Sequence, residues 1–175
     1  MLRTQRGDVT DPLAIRYWRV TPYRLGAAAV KYSARPVPDG EAAVVERTEN
    51  MLREAMKAHL GRIDIEFMEF EFQVQTQADP ASMPIEDPAT EWDESVSRPR
   101  TVARVRIRAR QAFATTERDL FAEHLSFTPW HALLPEHEPL GGINRVRQRV
   151  YESLAEFRHA LNHVPRREPS GSRRK

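Results

Sequence analysis

The stretch that decides the fold is Pro139 to Pro165, PLGGINRVRQRVYESLAEFRHALNHVP. A Gly-Gly pair opens it, Asn144 stands where a helix N-cap belongs, and no Gly or Pro follows until Pro165. Ile143, Val146, Val150, Leu154, Phe157 and Leu161 recur at spacings of 3, 4, 4, 3 and 4. That period predicts an α-helix whose apolar stripe docks on a core.

A second stripe runs beside the first: Arg147, Tyr151, Arg158 and Asn162, at spacings of 4, 7 and 4. These side chains point one way, about one residue step around the helix from the apolar stripe. An Arg one turn before a Tyr favours the phenolate, because a nearby opposite charge stabilises the ionised form. A phenolate is a hard, anionic ligand suited to ferric haem, and Tyr is the axial ligand type of catalases. An ordinary amphipathic helix with snorkelling Arg and a boundary Tyr gives the same pattern.

Four segments, in order, resemble the haem catalase family, and in particular its small catalase-like peroxidases. They are PYRLGAAAVKYSARP (22–36), FEFQVQTQADPASMPIEDPATEWDE (70–94), TVARVRIRARQAF (101–113), and LSFTPWHALLPEHEPLGGINR (125–145) running into R-x-x-x-Y. The resemblance implies an α+β fold: half of an antiparallel β-barrel, followed by C-terminal helices that carry the haem ligand. It implies haem b as cofactor, with Tyr151 as the axial ligand of the iron. Arg147 would hold Tyr151 as phenolate, Arg158 would serve the propionates or support the ligand, and Phe127 and Pro129 would line the pocket on the ligand side. The implied activity is that of an oxidoreductase acting on hydrogen peroxide or organic hydroperoxides.

Catalases place a distal His and Asn in the first half of the domain. Here only about twenty residues precede the first matching segment, and none of them is His or Asn. The chain therefore resembles the C-terminal half only, with no catalytic residue of the distal side. Losing that group removes a general acid–base contribution of roughly 10²–10⁴-fold. An open half-barrel leaves edges and an apolar face exposed, which isolated proteins avoid. The expectation is thus a homo-oligomer, a separate N-terminal half as partner, or a chain that is a fragment of a longer protein. The alternative is a non-catalytic remnant, an α+β interaction or binding module without haem.

Composition bounds the rest. A chain of 175 residues with 40% hydrophobic and 30% charged residues fits one soluble domain, here residues 1–165. No apolar run spans a bilayer and MLRTQRGDVT has no signal-peptide core, which is compatible with a cytoplasmic protein. Without Cys there is no disulfide or thiolate site. The sequence pI near 9.2 suggests nucleic acid. However, the tail RREPSGSRRK (166–175) holds five Arg or Lys and one Glu, and the remainder carries 22 basic against 24 acidic residues. The body is not basic, so the tail reads as a disordered solvated segment and a nucleic-acid partner is disfavoured.

Elsewhere, Val30 to Arg35 alternates as a strand and Pro38-Asp39-Gly40 forms a turn. Thr48 opens a helix with Met51, Leu52, Ala55, Met56 and Leu60 on one face, extended back by Val44 and Val45 and closed by Gly61. Ile63 to Gln75 is a strand whose parity slip at Phe67-Met68 predicts a β-bulge. Residues 78–100 form a long connection packed by Met83, Ile85 and Trp92. Thr101 to Arg110 alternates Ala103, Val105 and Ile107 with Arg104, Arg106, Arg108 and Arg110, poised to pair with the acidic face of the preceding strand. Glu117 to Leu125 is a short helix packing through Leu120, Phe121 and Leu125. His159 and His163 lie four residues apart with no carboxylate to complete a HExxH pattern, which argues against zinc, and His131 and His137, in the loop before the helix, suit either the edge of a cofactor or a surface role.

Overall fold

Alternation of apolar and polar side chains builds three long strands, and two short ones extend their sheet. The computed structural model describes residues 9–40 and 46–167. Its elements are β1 (Tyr17–Trp18), β2 (Tyr23–Leu25), β3 (Ala28–Pro36), α1 (Met51–Gly61), β4 (Phe67–Thr76), β5 (Arg100–Arg108), α2 (Thr116–His124) and α3 (Gly142–Leu161). The sheet is antiparallel, in the order β1-β3-β4-β5, and β2 also pairs with β3. Among the described residues it stays open: β5 has no second strand partner there, so the architecture is α+β with an unclosed sheet.

One sheet face is apolar. Leu13, Leu60, Met68 and Phe70 form a buried cluster, with Met56, Ile107 and Phe113 packed around it. Each of the larger side chains there contributes about 1.5–3 kcal/mol by leaving water. A second cluster joins Tyr23, Val30 and Val74. The opposite face buries polar groups, Lys31, Ser33, Gln73 and Gln75. The 84–97 connection covers part of it, where Gln75 Nε2 donates to the carbonyls of Trp92 and Ser97 at 2.9 Å each. Along residues 78–100 Met83 and Trp92 are buried and Ile85 is half-buried. Asp79, Asp87 and Asp93 hold its turns by accepting from Ala81, Ala89 and Ser95 backbone N–H groups.

The expected charge pairing across the sheet is present. Glu69 accepts from Arg104 at 2.8 Å and from Arg106 at 2.7 Å, and Glu71 accepts from Arg35. The Arg106 hydrogen bond, helped by Arg104, keeps the Glu69 carboxyl below the usual carboxylate range.

Several local expectations are corrected. The slip at Phe67-Met68 is where β4 begins, not a bulge: residues 63–66 bend, and Arg110 Nη1 donates to the carbonyls of Ile63 and Ile65. The register shift lies between Phe72 and Gln73, which pair with Ala103 and Thr101 and leave Val102 as the extra residue. Asn50, not Thr48, occupies the N-cap of α1. Val44 and Val45 lie outside the described residues, as do residues 168–175 of the tail. α2 buries no residue, and Leu120 and Phe121 are exposed.

Candidate functional site around the Tyr151 helix

The start of α3 is positioned by backbone geometry and one buried amide. Gly141 has φ +85°, and a Cβ there would meet the Ile85 carbonyl oxygen at 2.9 Å, so only glycine fits. Glu86 accepts the Gly142 N–H at 2.7 Å, placing an anion at the helix N-terminus. Asn144 is not the N-cap; Gly141 is. The Asn144 side chain is fully buried instead, donating to the carbonyls of Pro22 (3.0 Å) and Leu140 (2.7 Å) and accepting from Thr21 Oγ1 (2.9 Å). Trp130 Nε1 donates to the Asn144 carbonyl at 2.8 Å. The sequence reading missed this anchor, since an Asn after two glycines signals a cap before it signals a buried bridge.

The orientation of α3 reverses the expectation drawn from its apolar stripe. Ile143, Val146, Val150, Leu154, Phe157 and Leu161 are between 44% and 64% exposed. The inward face carries Asn144, Arg147, Gln148, Tyr151, Ala155, Arg158 and His159. The physical reason is that the contacts available in this chain are polar: Thr21, the Pro22 carbonyl, the Glu123 carboxylate and the carbonyls of Glu123 and Leu125 meet the amide and guanidinium groups of the helix.

Arg147 Nη2 lies 3.3 Å from the Tyr151 hydroxyl, and Nη1 reaches Thr21 Oγ1 at 3.4 Å. The Arg147 guanidinium stands 5.5 Å from the Tyr151 ring centre. One cation thus touches the phenol and is itself fixed by the sheet-side segment. Arg158 donates to the Glu123 carbonyl and carboxylate, both at 3.1 Å, and to the Leu125 carbonyl. It ties α3 to the end of α2, where terminal carbonyls lie beyond the reach of the helix's own N–H groups.

Tyr151 and Phe127 line one hollow of about 260 Å³, together with Ser126, Trp130, His131 and Gln148. Pro129 is buried and lines a neighbouring hollow of about 360 Å³ with Tyr23, Tyr32, Phe72, His131 and His137. Arg147 and Arg158 belong to neither lining. The structure therefore brings Tyr151, Arg147 and Phe127 to one place, sets Pro129 next door, and holds Arg158 on the α2 side. His159 is buried beside Arg158. Among the described residues no group of three or more His, Cys, Asp or Glu is placed to hold a metal ion. Nor does any described helix have the length and apolarity to cross a membrane.

No protein-family model matches this chain, and no curated protein does. Among solved structures, the fold is similar to that of a fungal catalase, with a TM-score of 0.63 at 12% identity. The likeness covers 94% of this chain and 37% of the catalase chain, so the chain spans well under half of that protein's length. At that identity it is the fold that is catalase-like.

Proposed function

We propose that this chain supplies the tyrosinate side of a haem b site and serves a catalase-like protein acting on hydrogen peroxide or an organic hydroperoxide. The observation that carries this reading is the Arg147 guanidinium at 3.3 Å from the Tyr151 hydroxyl, on the protein-facing side of α3. The donor set fits the group: a phenol oxygen is a ligand type that ferric haem takes, and here it accepts from a guanidinium that Thr21 also holds. Haem, when bound, supplies the redox chemistry. This chain's residues would do the rest: Tyr151 would hold the iron through its phenol oxygen, Arg147 would donate to that oxygen and orient it, Phe127 and Pro129 would contribute apolar walls, and Arg158 would hold the helix in place through α2. Support of this kind for a ligating side chain typically alters metal affinity by 10–100-fold when lost.

The hollow beside Tyr151, about 260 Å³, is below the roughly 300–1,000 Å³ of ordinary ligand pockets. A tetrapyrrole therefore needs a second wall, and we assign that wall to a partner, either another copy of this chain or a separate N-terminal half. The test is a haem titration followed by absorbance, with Tyr151→Phe alongside. Saturable uptake with a ferric tyrosinate spectrum that the variant loses supports the reading, and equal weak uptake by both chains overturns it.

A second reading has its own observation. The outward apolar stripe of α3 suits an α+β interaction module without haem. It predicts that association persists unchanged in Tyr151→Phe and without haem.

A further inference from the structure

Three carboxylates, one imidazole and one guanidinium meet at the C-terminal end of α1, away from Tyr151. His59 is 3% exposed and Asp11 2% exposed. His59 Nδ1 lies 2.5 Å from Asp11 Oδ2, and Nε2 lies 2.8 Å from Asp39 Oδ2. Asp11 Oδ1 also accepts the Leu13 N–H at 2.8 Å. Arg62 approaches Asp39 Oδ1 at 3.4 Å and donates to the Asp39 carbonyl at 2.7 Å, while its other contacts go to Asp64.

We propose that Asp11, His59 and Asp39 form a protonation-dependent clamp that fastens α1 and the 11–14 segment to the sheet and loosens them as the solution becomes alkaline. An ionised carboxylate only accepts hydrogen bonds, so a ring facing one at each nitrogen must donate from both and is therefore an imidazolium. Removing that proton leaves a ring lone pair against a carboxylate oxygen inside a buried site. Unsatisfied acceptors of this kind are costly. The clamp spans three separate segments: Asp11 follows the N-terminus, Asp39 sits in the turn after β3, and His59 closes α1. Beside them lie Leu13 and Leu60, both members of the cluster with Met68 and Phe70. Loosening the clamp therefore exposes that cluster.

Among the described residues, the groups that face His59 are Asp11, Asp39, Arg62 beyond Asp39, and Asp64 beyond Arg62. Burial is the largest single influence and pushes the imidazole down, but the hydrogen bonds and charges of Asp11 and Asp39 outweigh it and the balance is upward. A folded-state value above the ordinary histidine value gives stability that is complete below the ordinary value. That stability is lost as pH rises through the raised one.

The experiment is a pH series on the isotopically labelled full chain, correlating each His59 ring nitrogen with its carbon-bound protons. The melting temperatures of wild type and His59→Gln are followed in parallel. Both ring nitrogens are expected to stay protonated at pH values where an ordinary histidine is neutral. Wild type should then lose melting temperature toward alkaline pH more steeply than His59→Gln. A neutral His59 tautomer at neutral pH, or parallel loss in both chains, overturns the proposal. Should His59→Gln not fold, Asp39→Asn decides: the His59 titration midpoint moves down if the clamp is real, and an unmoved midpoint overturns it.

Discussion

α1 and α3 are both amphipathic, yet they meet the rest of the chain in opposite ways. α1 buries Ala55, His59 and Leu60 and adds Leu60 to the main apolar cluster. α3 has the longer and more regular stripe, and it buries Asn144 and His159 while the stripe faces outward. The difference teaches that a period of 3.6 fixes which residues share a face, whereas the surface offered by the partner fixes which face docks. For α1 the chain offers Leu13, Met68 and Phe70. For α3 it offers hydroxyls, carbonyls and a carboxylate.

The comparison breaks most sharply on paired truncations. Leu60→Ala removes a buried side chain and is expected to cost about 2–5 kcal/mol. Leu154→Ala, 60% exposed, should stay within about 0.5 kcal/mol in the chain alone. Denaturant midpoints measure both, and equal losses would mean that α3 is packed by its stripe. A smaller effect tests the polar docking: Asn144→Ala removes the acceptor of the Thr21 hydroxyl and a donor to the Pro22 and Leu140 carbonyls, and should cost about 1–3 kcal/mol. Thermal unfolding reads it, and no loss would remove the anchor assigned to that amide. Smaller than the loss at Asn144 is that of Arg158→Ala, whose side chain is about a third exposed. Its loss should cost at most about 1 kcal/mol, with faster amide exchange at the end of α2 as the local signature.

Much of the scaffold was legible in the sequence. The alternation of Val30 to Arg35, of Met68 to Val74 and of Ala103 to Ile107 marks β3, β4 and β5, and the alternating Arg of β5 foretells the pairs with Glu69. Strand periodicity is local, so it survives without knowledge of the partner. The misplaced bulge has a different origin: the parity change at Phe67-Met68 reports a bend before β4, and a slip in pairing resides in the partner strand at Val102. Burial of Asn144 and the Asp11–His59–Asp39 contact were not legible, because they join residues far apart in the chain and leave no periodic trace. At the candidate site, the spacing of Arg147 and Tyr151 placed a guanidinium against a phenol. The commitment of Arg158 to Glu123 and Leu125 depended on where α2 ends, which spacing within α3 does not contain.

The measurement that bears most directly on the account is resonance Raman spectroscopy of the haem-loaded chain, excited in the charge-transfer band, with Tyr151→Phe as the paired sample. The account predicts enhanced tyrosinate ring modes from an iron–phenolate bond in wild type and their absence in the variant. A wild-type spectrum of histidine-ligated haem, or tyrosinate modes that survive in Tyr151→Phe, would contradict it.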